Sequence, residues 1–147
     1  DLATQAPELQ GKAIHTPLPA LLAHSDFVVA ILPLSDSTRG MVNAELFAAM
    51  KPGAIFINGG RGATVVEQDL LHALDHGPLR AAGLDVFATE PLPLASPLRT
   101  HPRVTPLPHI GSATHDTRHA MAALATTNLL QALAGERPTA VYNPVPA

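Results

Sequence analysis

Four short apolar runs, separated by segments with helical periodicity, constrain the fold of this chain more than any other feature. The runs occupy residues 27–32, 54–57, 81–84 and 104–107. Continuous apolar runs of this length suit strands that are buried on both faces, as parallel sheets require. Strands that alternate with helices are typical of the α/β class, so the sequence predicts a parallel sheet flanked by helices.

Helical segments and one extra strand complete the predicted order of elements. Helices are predicted at residues 19–24, 44–50, 67–76 and 114–134. Asn43 can cap the second helix, and Gly135 can end the last one. Residues 12–16 can form a further short strand. The last helix carries an Ala, Leu and Met face, which could serve a dimer, but ordinary core packing is the expected use.

The composition excludes several classes of protein. The chain has 147 residues, enough for one domain with a core, and a net charge of −3 that gives no reason to expect a nucleic-acid partner. The absence of cysteine excludes disulfides and thiol catalysis and fits a reducing compartment. No apolar run approaches the roughly 20 residues of a membrane span, and no signal peptide is visible. We therefore expect a cytoplasmic location and no membrane partner.

Polar residues suited to chemistry follow the apolar runs. Arg61 follows the second run, Asp85 and Glu90 follow the third, and His109 follows the fourth. In an open parallel sheet, ligands bind beyond the carboxyl ends of the strands, so these four residues are candidates for binding or catalysis. Taken singly, each also has a structural explanation, such as a turn cap, a solvated charge or an ion pair.

Three motifs follow one another along the chain. They are Ile57-Asn58-Gly59-Gly60-Arg61-Gly62, then Gly83-Leu84-Asp85-Val86-Phe87 with Glu90-Pro91, and finally Pro108-His109-Ile110-Gly111-Ser112-Ala113-Thr114. In this order they resemble the NAD(P)-dependent D-2-hydroxyacid dehydrogenases, and the last motif looks most like the glyoxylate/hydroxypyruvate and 2-ketogluconate reductases. The resemblance implies an oxidoreductase that transfers a hydride between NAD(P)H and a small 2-oxo acid, giving the D-2-hydroxy acid.

The resemblance also implies roles for individual residues. Arg61, Glu90 and His109 match the family's catalytic trio: His109 as general acid, Glu90 bonded to its other ring nitrogen, and Arg61 gripping the substrate carboxylate. The matched cofactor contacts are Asp1, Leu32, Pro33, Thr38, Gly59, Gly60, Arg61, Asp85, His109 and Gly111. We expect Gly59, Gly60 and Gly62 to let the backbone approach the cofactor closely.

Asp1 bears on the choice of cofactor. Counted back from Asp26, it falls where NAD-specific members of the family keep an acid that binds the adenosine ribose. An acid there accepts a hydrogen bond from the 2′-OH and repels a 2′-phosphate. The resemblance thus implies NAD or NADP as cofactor, with NAD preferred.

The chain matches only part of the family's architecture. It lacks the Gly-x-Gly-x-x-Gly loop, the first strand, first helix and most of the second strand of the cofactor domain, and the substrate domain. We therefore expect a partial Rossmann-like, doubly wound parallel sheet in residues 1–113, and a long helix and tail in residues 114–147. An exposed apolar edge is expected at residues 27–32, where the missing strands would pair. This portion is expected to be inactive by itself, and the complete protein to form a homodimer.

Other functions stay open at this point. A 2-ketogluconate reductase, or another D-2-hydroxyacid dehydrogenase, would share these motifs. A non-catalytic nucleotide-binding module or an inactive fragment is the alternative from another class. His115 and His119 have the i, i+4 spacing of zinc ligands, but no third ligand is evident, so no metal site is expected.

Overall fold

The described residues form two compact units, which divide between Pro108 and His109. The computed structural model describes residues 11–141, so Asp1 lies outside the described part. Within residues 11–108, the first unit contains three α-helices: α1 (Leu18–His24), α2 (Ala44–Ala48) and α3 (Glu67–Asp75). It also holds four strands: β1 (Phe27–Ala30), β2 (Ile55–Asn58), β3 (Ala81–Leu84) and β4 (Val104–Pro106).

The four strands of the first unit form one parallel sheet in the order β1-β2-β3-β4. The predicted α/β class with a parallel sheet is therefore confirmed. The register places Ala30, Asn58, Leu84 and Pro106 in one row across the sheet. Since each of these residues ends its strand, the loops that follow all start at the same level on the carboxyl edge.

The core of the first unit lies between one face of the sheet and the helices. Phe56 of β2 meets Phe47 of α2 edge to face, with ring centroids 5.3 Å apart. Such a pair adds about 0.5–1.5 kcal/mol beyond the burial of its area. Leu70 and Leu74, one turn apart on α3, complete this aliphatic layer with Leu98 of the short 3-10 helix Pro97–Arg99.

The predicted burial of β1 on both faces is wrong. Val28 and Ala30 point into the core, but Phe27 and Val29 are 61% and 55% exposed. The strand forms an edge of the sheet, as expected, and ends at Ala30 rather than at Leu32. No element of the first unit within residues 11–108 covers the outer face of β1, so side chains that alternate along the strand are buried on one side only.

The short strand predicted at residues 12–16 is also wrong. These residues form no ladder, and Ile14 is 87% exposed. An isolated extended segment has no partner for its backbone N–H and C=O groups, so it gains nothing by becoming a strand. Within the described residues, the sheet has no further strand beside β1 to which this segment could pair.

The second unit is built around α4 (His115–Leu133). Thr114 caps the helix, because its side chain accepts from the Thr117 N–H. Gly135, at a φ of 75°, lets the Glu136 N–H reach the Gln131 carbonyl at 2.8 Å, which closes the helix in the predicted way. The expected core packing of α4 is wrong: the helix has no buried residue. Across residues 11–141, no helix combines the length and apolar character needed to cross a bilayer.

Candidate active site

The predicted site residues of the first unit follow the carboxyl ends of three neighbouring strands. Leu32 and Pro33 follow β1, Gly59 to Arg61 follow β2, and Asp85 and Glu90 follow β3. The strand register therefore brings these loops to one edge of the sheet. His109 and Gly111 lie at the start of the second unit.

The loop that carries Arg61 is fixed by two buried polar side chains. Asn58, only 1% exposed, accepts the Gly60 N–H at 3.1 Å and donates to the Arg61 carbonyl at 3.2 Å. The Thr64 hydroxyl donates to the same carbonyl at 2.6 Å. Two side-chain donors thus hold the Arg61 carbonyl. Arg61 itself is exposed, and its Nη1 donates to the Gly60 carbonyl at 2.9 Å.

The loop that carries Glu90 is fixed by carboxylates. The Phe87 N–H donates to Glu90 Oε1 at 2.9 Å, and the next amide, of Ala88, donates to Glu67 Oε1 at 2.8 Å. At the base of this loop, the Asp85 N–H donates to the Asn58 carbonyl at 3.0 Å. Asp85 is half-buried and Glu90 is exposed.

The arginine and glutamate loops pack backbone against backbone. A Cβ atom added to Gly62 would overlap the carbonyl group of Phe87. A Cβ atom on Gly60 would lie 2.7 Å from the backbone nitrogen of Leu32, in the loop after β1. These two glycines therefore make room for other loops of the chain. Their approach to a cofactor stays a prediction, as it does for Gly59, whose added Cβ would meet the Ile31 side chain at 3.1 Å.

Thr38 has a structural use in the loop after β1. Its hydroxyl donates to the Pro33 carbonyl at 2.7 Å and accepts the Ser35 N–H at 2.8 Å. Both bonds lie within residues 33–38 and hold that turn in shape. Contact of Thr38 with a cofactor stays a prediction.

His109, in the second unit, has an unusual backbone. Its φ is 56°, and it is the one residue other than glycine with a positive φ among residues 11–141. Left-handed backbone is uncommon outside glycine, although histidine is among the types enriched there. The Ala113 N–H donates to the Ile110 carbonyl at 2.9 Å, closing a turn directly after His109. The His109 side chain is exposed.

Sequence reasoning missed three residues that build this site. Asn58 and Thr64 hold the arginine loop, and Glu67 holds the glutamate loop. Asn58 carries a usable signal, because a polar residue at the end of an apolar run and before two glycines marks a strand end. Glu67 carries no sequence signal for this contact, because an acid in the first turn of a helix is common. As for metals, residues 11–141 contain no group of three or more His, Cys, Asp or Glu that could hold an ion, and His115 and His119 are both exposed.

Comparisons with known proteins give a consistent result. The family model described as D-isomer specific 2-hydroxyacid dehydrogenase, NAD binding domain, matches residues 3–111. Glyoxylate/hydroxypyruvate reductase B from Cronobacter sakazakii is 56% identical over 127 residues, covering 86% of this chain and 39% of that protein.

Solved structures agree with the sequence comparison. The TT0316 protein from Thermus thermophilus superposes with a TM-score of 0.80 at 44% identity, over 84% of this chain and 40% of that one. An NADPH-dependent glyoxylate/hydroxypyruvate reductase from Sinorhizobium meliloti, in complex with NADP and sulfate, gives a TM-score of 0.71 at 37% identity, over 83% and 40%. The chain thus spans about two fifths of the length of the relatives that it matches.

Proposed function

The chain belongs to the D-isomer specific 2-hydroxyacid dehydrogenase family, and on that premise we propose that it supplies the cofactor domain and the catalytic residues of a glyoxylate/hydroxypyruvate-type reductase. The reaction converts a small 2-oxo acid to the D-2-hydroxy acid. The observation that carries the proposal is the packing of the Arg61 and Glu90 loops at the carboxyl edge of a parallel sheet, within a chain 56% identical to a reductase of that name. Ligands of open α/β sheets bind at this edge.

The carboxyl edge fits a nicotinamide dinucleotide. The loops after β1, β2 and β3 start there at one level. Gly59, the first residue after β2, is exposed, and Asp85, the first residue after β3, is half-buried. Leu32, Pro33 and Gly59 would line the cofactor on one side and Asp85 on the other. When bound, the nicotinamide supplies the hydride that is added to C2 of the substrate.

The chain's own residues would orient the substrate and supply the proton. Arg61 would bind the substrate carboxylate through its planar fork of donors and polarise the ketone. His109 would donate its proton to the ketone oxygen as the hydride arrives at C2, so that the product is a neutral hydroxyl. Glu90 would accept from the other ring nitrogen of His109. A carboxylate accepts several hydrogen bonds at once, so Glu90 can hold the Phe87 amide and an imidazole together.

The preference between NAD and NADP is a separate proposal. Asp1 would accept a hydrogen bond from the 2′-OH of NAD and repel the 2′-phosphate of NADP, which favours NAD. The Sinorhizobium relative is named NADPH-dependent, which favours NADP instead. We keep the NAD preference. The test compares the complete reductase with its Asp1→Ala variant and measures, for each, the ratio of kcat/KM for NADH to kcat/KM for NADPH.

We also propose a cytoplasmic homodimer for the complete protein. The absence of cysteine fits a reducing compartment. The apolar side chains exposed on α4 supply a surface that association can cover. Light scattering on the purified protein tests the oligomeric state.

An activity assay on two proteins tests the proposed function. One protein is the 147-residue chain. The other is a fusion, called here the joined reductase. In it, the N-terminal part of the Cronobacter relative, which the chain does not match, is followed by this chain. Oxidation of NADH and NADPH is followed with glyoxylate, hydroxypyruvate and 2-ketogluconate. We expect turnover in the joined reductase and none in the 147-residue chain. Among the substrates, glyoxylate or hydroxypyruvate should be reduced fastest.

The other outcomes of this assay separate the alternatives. Fastest turnover with 2-ketogluconate would replace the proposed substrate with a longer sugar acid. Binding of NADH or NADPH without turnover of any substrate would favour a non-catalytic nucleotide-binding module. Failure of the joined reductase to bind either dinucleotide would end the proposal.

A further inference from the structure

We propose that Glu67 is a positioning residue for the reaction, which fixes from α3 the loop that carries Glu90. This inference rests on the proposed function and deepens it. Glu67 is the first residue of α3, and its Oε1 accepts the Ala88 N–H at 2.8 Å across 21 positions of sequence. The bond ties the helix that follows the arginine loop to the glutamate loop.

Two consecutive amides of the glutamate loop meet two different carboxylates. The Phe87 N–H is accepted by Glu90 itself, and the Ala88 N–H is accepted by Glu67. The peptide between Phe87 and Ala88 is planar, so fixing the Ala88 amide restricts the turn in which Glu90 reaches back to Phe87. Glu67 therefore limits the directions in which the Glu90 carboxylate can point.

The loop depends on this bond because of where it leaves the core. Val86 and Phe87 are buried, whereas Ala88, Thr89 and Glu90 are exposed. Packing therefore holds the loop up to Phe87 and again at Leu92, and hydrogen bonds from the amides of Phe87 and Ala88 restrain the exposed stretch between them. A loss of the Glu67 bond would loosen the part that carries the proposed catalytic group, while the core stays intact.

Asp69 provides a matched control in the same turn of α3. Its Oδ2 accepts the backbone N–H of Ala44 at 2.9 Å, at the start of α2. Both Glu67 and Asp69 are acids in the first turn, so each has the same favourable interaction with the helix N-terminus. Only Glu67 bonds the glutamate loop. A general loss of stability should follow from either substitution, but a loss of positioning should follow from Glu67 alone.

The experiment compares Glu67→Asp, Glu67→Gln and Asp69→Ala in the joined reductase. Asp keeps the charge but is too short to reach Ala88, whereas Gln loses the charge but keeps the reach and an acceptor oxygen. We expect Glu67→Asp to lower kcat by roughly tenfold to a hundredfold, with the KM of the 2-oxo acid changed less than threefold, since small misplacement of a catalytic group has an effect of this size. Glu67→Gln should keep most of the turnover, and Asp69→Ala should leave kcat within about threefold of the parent.

Amide hydrogen exchange at Phe87 and Ala88 provides a readout that does not depend on activity. We expect faster exchange in Glu67→Asp and parent-like exchange in Glu67→Gln and Asp69→Ala. Equal effects of Glu67→Asp and Asp69→Ala on kcat would overturn the positioning role, as would unchanged exchange in Glu67→Asp. An inactive parent would end the proposed function instead, and the exchange rates would still decide whether Glu67 holds the loop.

Discussion

His109 combines a proposed proton donor with a left-handed backbone, at a φ of 56°. For an L-residue this conformation costs roughly 1–2 kcal/mol, because Cβ crowds the following carbonyl oxygen. A residue held in such a conformation is a reason to suspect function, since strain persists where the surroundings require a particular side-chain direction. In this chain the strained residue is the same histidine that the motif comparison singles out.

Substitution of His109 separates strain from chemistry. We expect His109→Gln to lower kcat of the joined reductase by a factor of about 10²–10⁴, the usual contribution of a general acid, while the Kd of NADH barely changes. His109→Gly should lose the same activity but raise the free energy of unfolding by up to about 1 kcal/mol, because glycine adopts a positive φ without crowding. Steady-state kinetics, NADH titration and denaturant unfolding measure the three quantities. Unaltered turnover in His109→Gln would refute the acid role.

At the scale of elements, the site depends on the contact between the loops after β2 and β3. Asn58 links them, since its side chain holds the arginine loop and its carbonyl accepts the Asp85 N–H. Gly62 lets their backbones touch at Phe87. Arg61 and Glu90 are therefore carried by loops whose spacing is fixed by backbone packing.

Gly62→Ala tests this loop contact, with Gly83→Ala as the control. The new methyl group at Gly62 would overlap the Phe87 carbonyl, so the loops must separate. We expect a loss of about 1–3 kcal/mol in unfolding free energy, the usual cost of overpacking, together with a severe fall in kcat. In Gly83→Ala the methyl group meets Ile57 at an ordinary 3.8 Å, and both quantities should stay near the parent values. Denaturant unfolding and kinetics on both variants provide the comparison, and equal behaviour of the two would contradict the role given to Gly62.

At the scale of the whole molecule, acid stability depends in part on a cluster at the opposite edge of the sheet. Asp75, at the end of α3, accepts from His101 Nε2 at 3.1 Å and from Arg103 Nη2 at 3.3 Å. The hydrogen bond from His101, and then the charges of His101 and Arg103, hold the pKa of Asp75 below its usual 3.8. Since the folded pKa is the lower one, this stabilisation is present above pH 3.8 and is lost as the pH falls through the folded pKa.

The pH dependence of Asp75→Asn tests that linkage. Removal of the carboxylate should lower the unfolding midpoint at neutral pH, because the cluster loses its acceptor. The gap between parent and variant should shrink as the pH falls from 3.8 through the lower folded pKa, below which the carboxylate of the folded parent is also neutral. Urea unfolding of both proteins from neutral to acid pH measures the gap. A gap that stays constant over the whole range would show that Asp75 contributes by packing alone.

The whole molecule also leaves large apolar surfaces open among the described residues. Phe27, Val29 and Ile31 are exposed beside the sheet edge, and Leu129, Leu130 and Leu133 are exposed on α4. Burial of apolar surface contributes about 25 cal/mol of free energy for each Å² removed from water, and these exposed side chains do not gain it. These surfaces occur in a chain that spans about two fifths of the length of its relatives.

The sequence by itself determined the fold class and most of the elements, although the strand predicted at residues 12–16 does not form. The strand at Ala81–Leu84, the cap at Asn43 and the end of α4 at Gly135 all follow from patterns within a few residues. Local periodicity and capping chemistry decide such features, and neighbours in sequence carry that information. The three motifs likewise identified the family and the side chains proposed for catalysis.

Only the tertiary structure decided which faces are buried and what holds the site loops. The one-sided burial of β1, the exposed α4, the bond from Glu67 to Ala88 and the contact of Gly62 with Phe87 are invisible in the sequence. Each depends on segments that are far apart along the chain and meet, or fail to meet, through the path of the backbone. The same local pattern is compatible with a covered or an open face, so periodicity alone cannot choose between them.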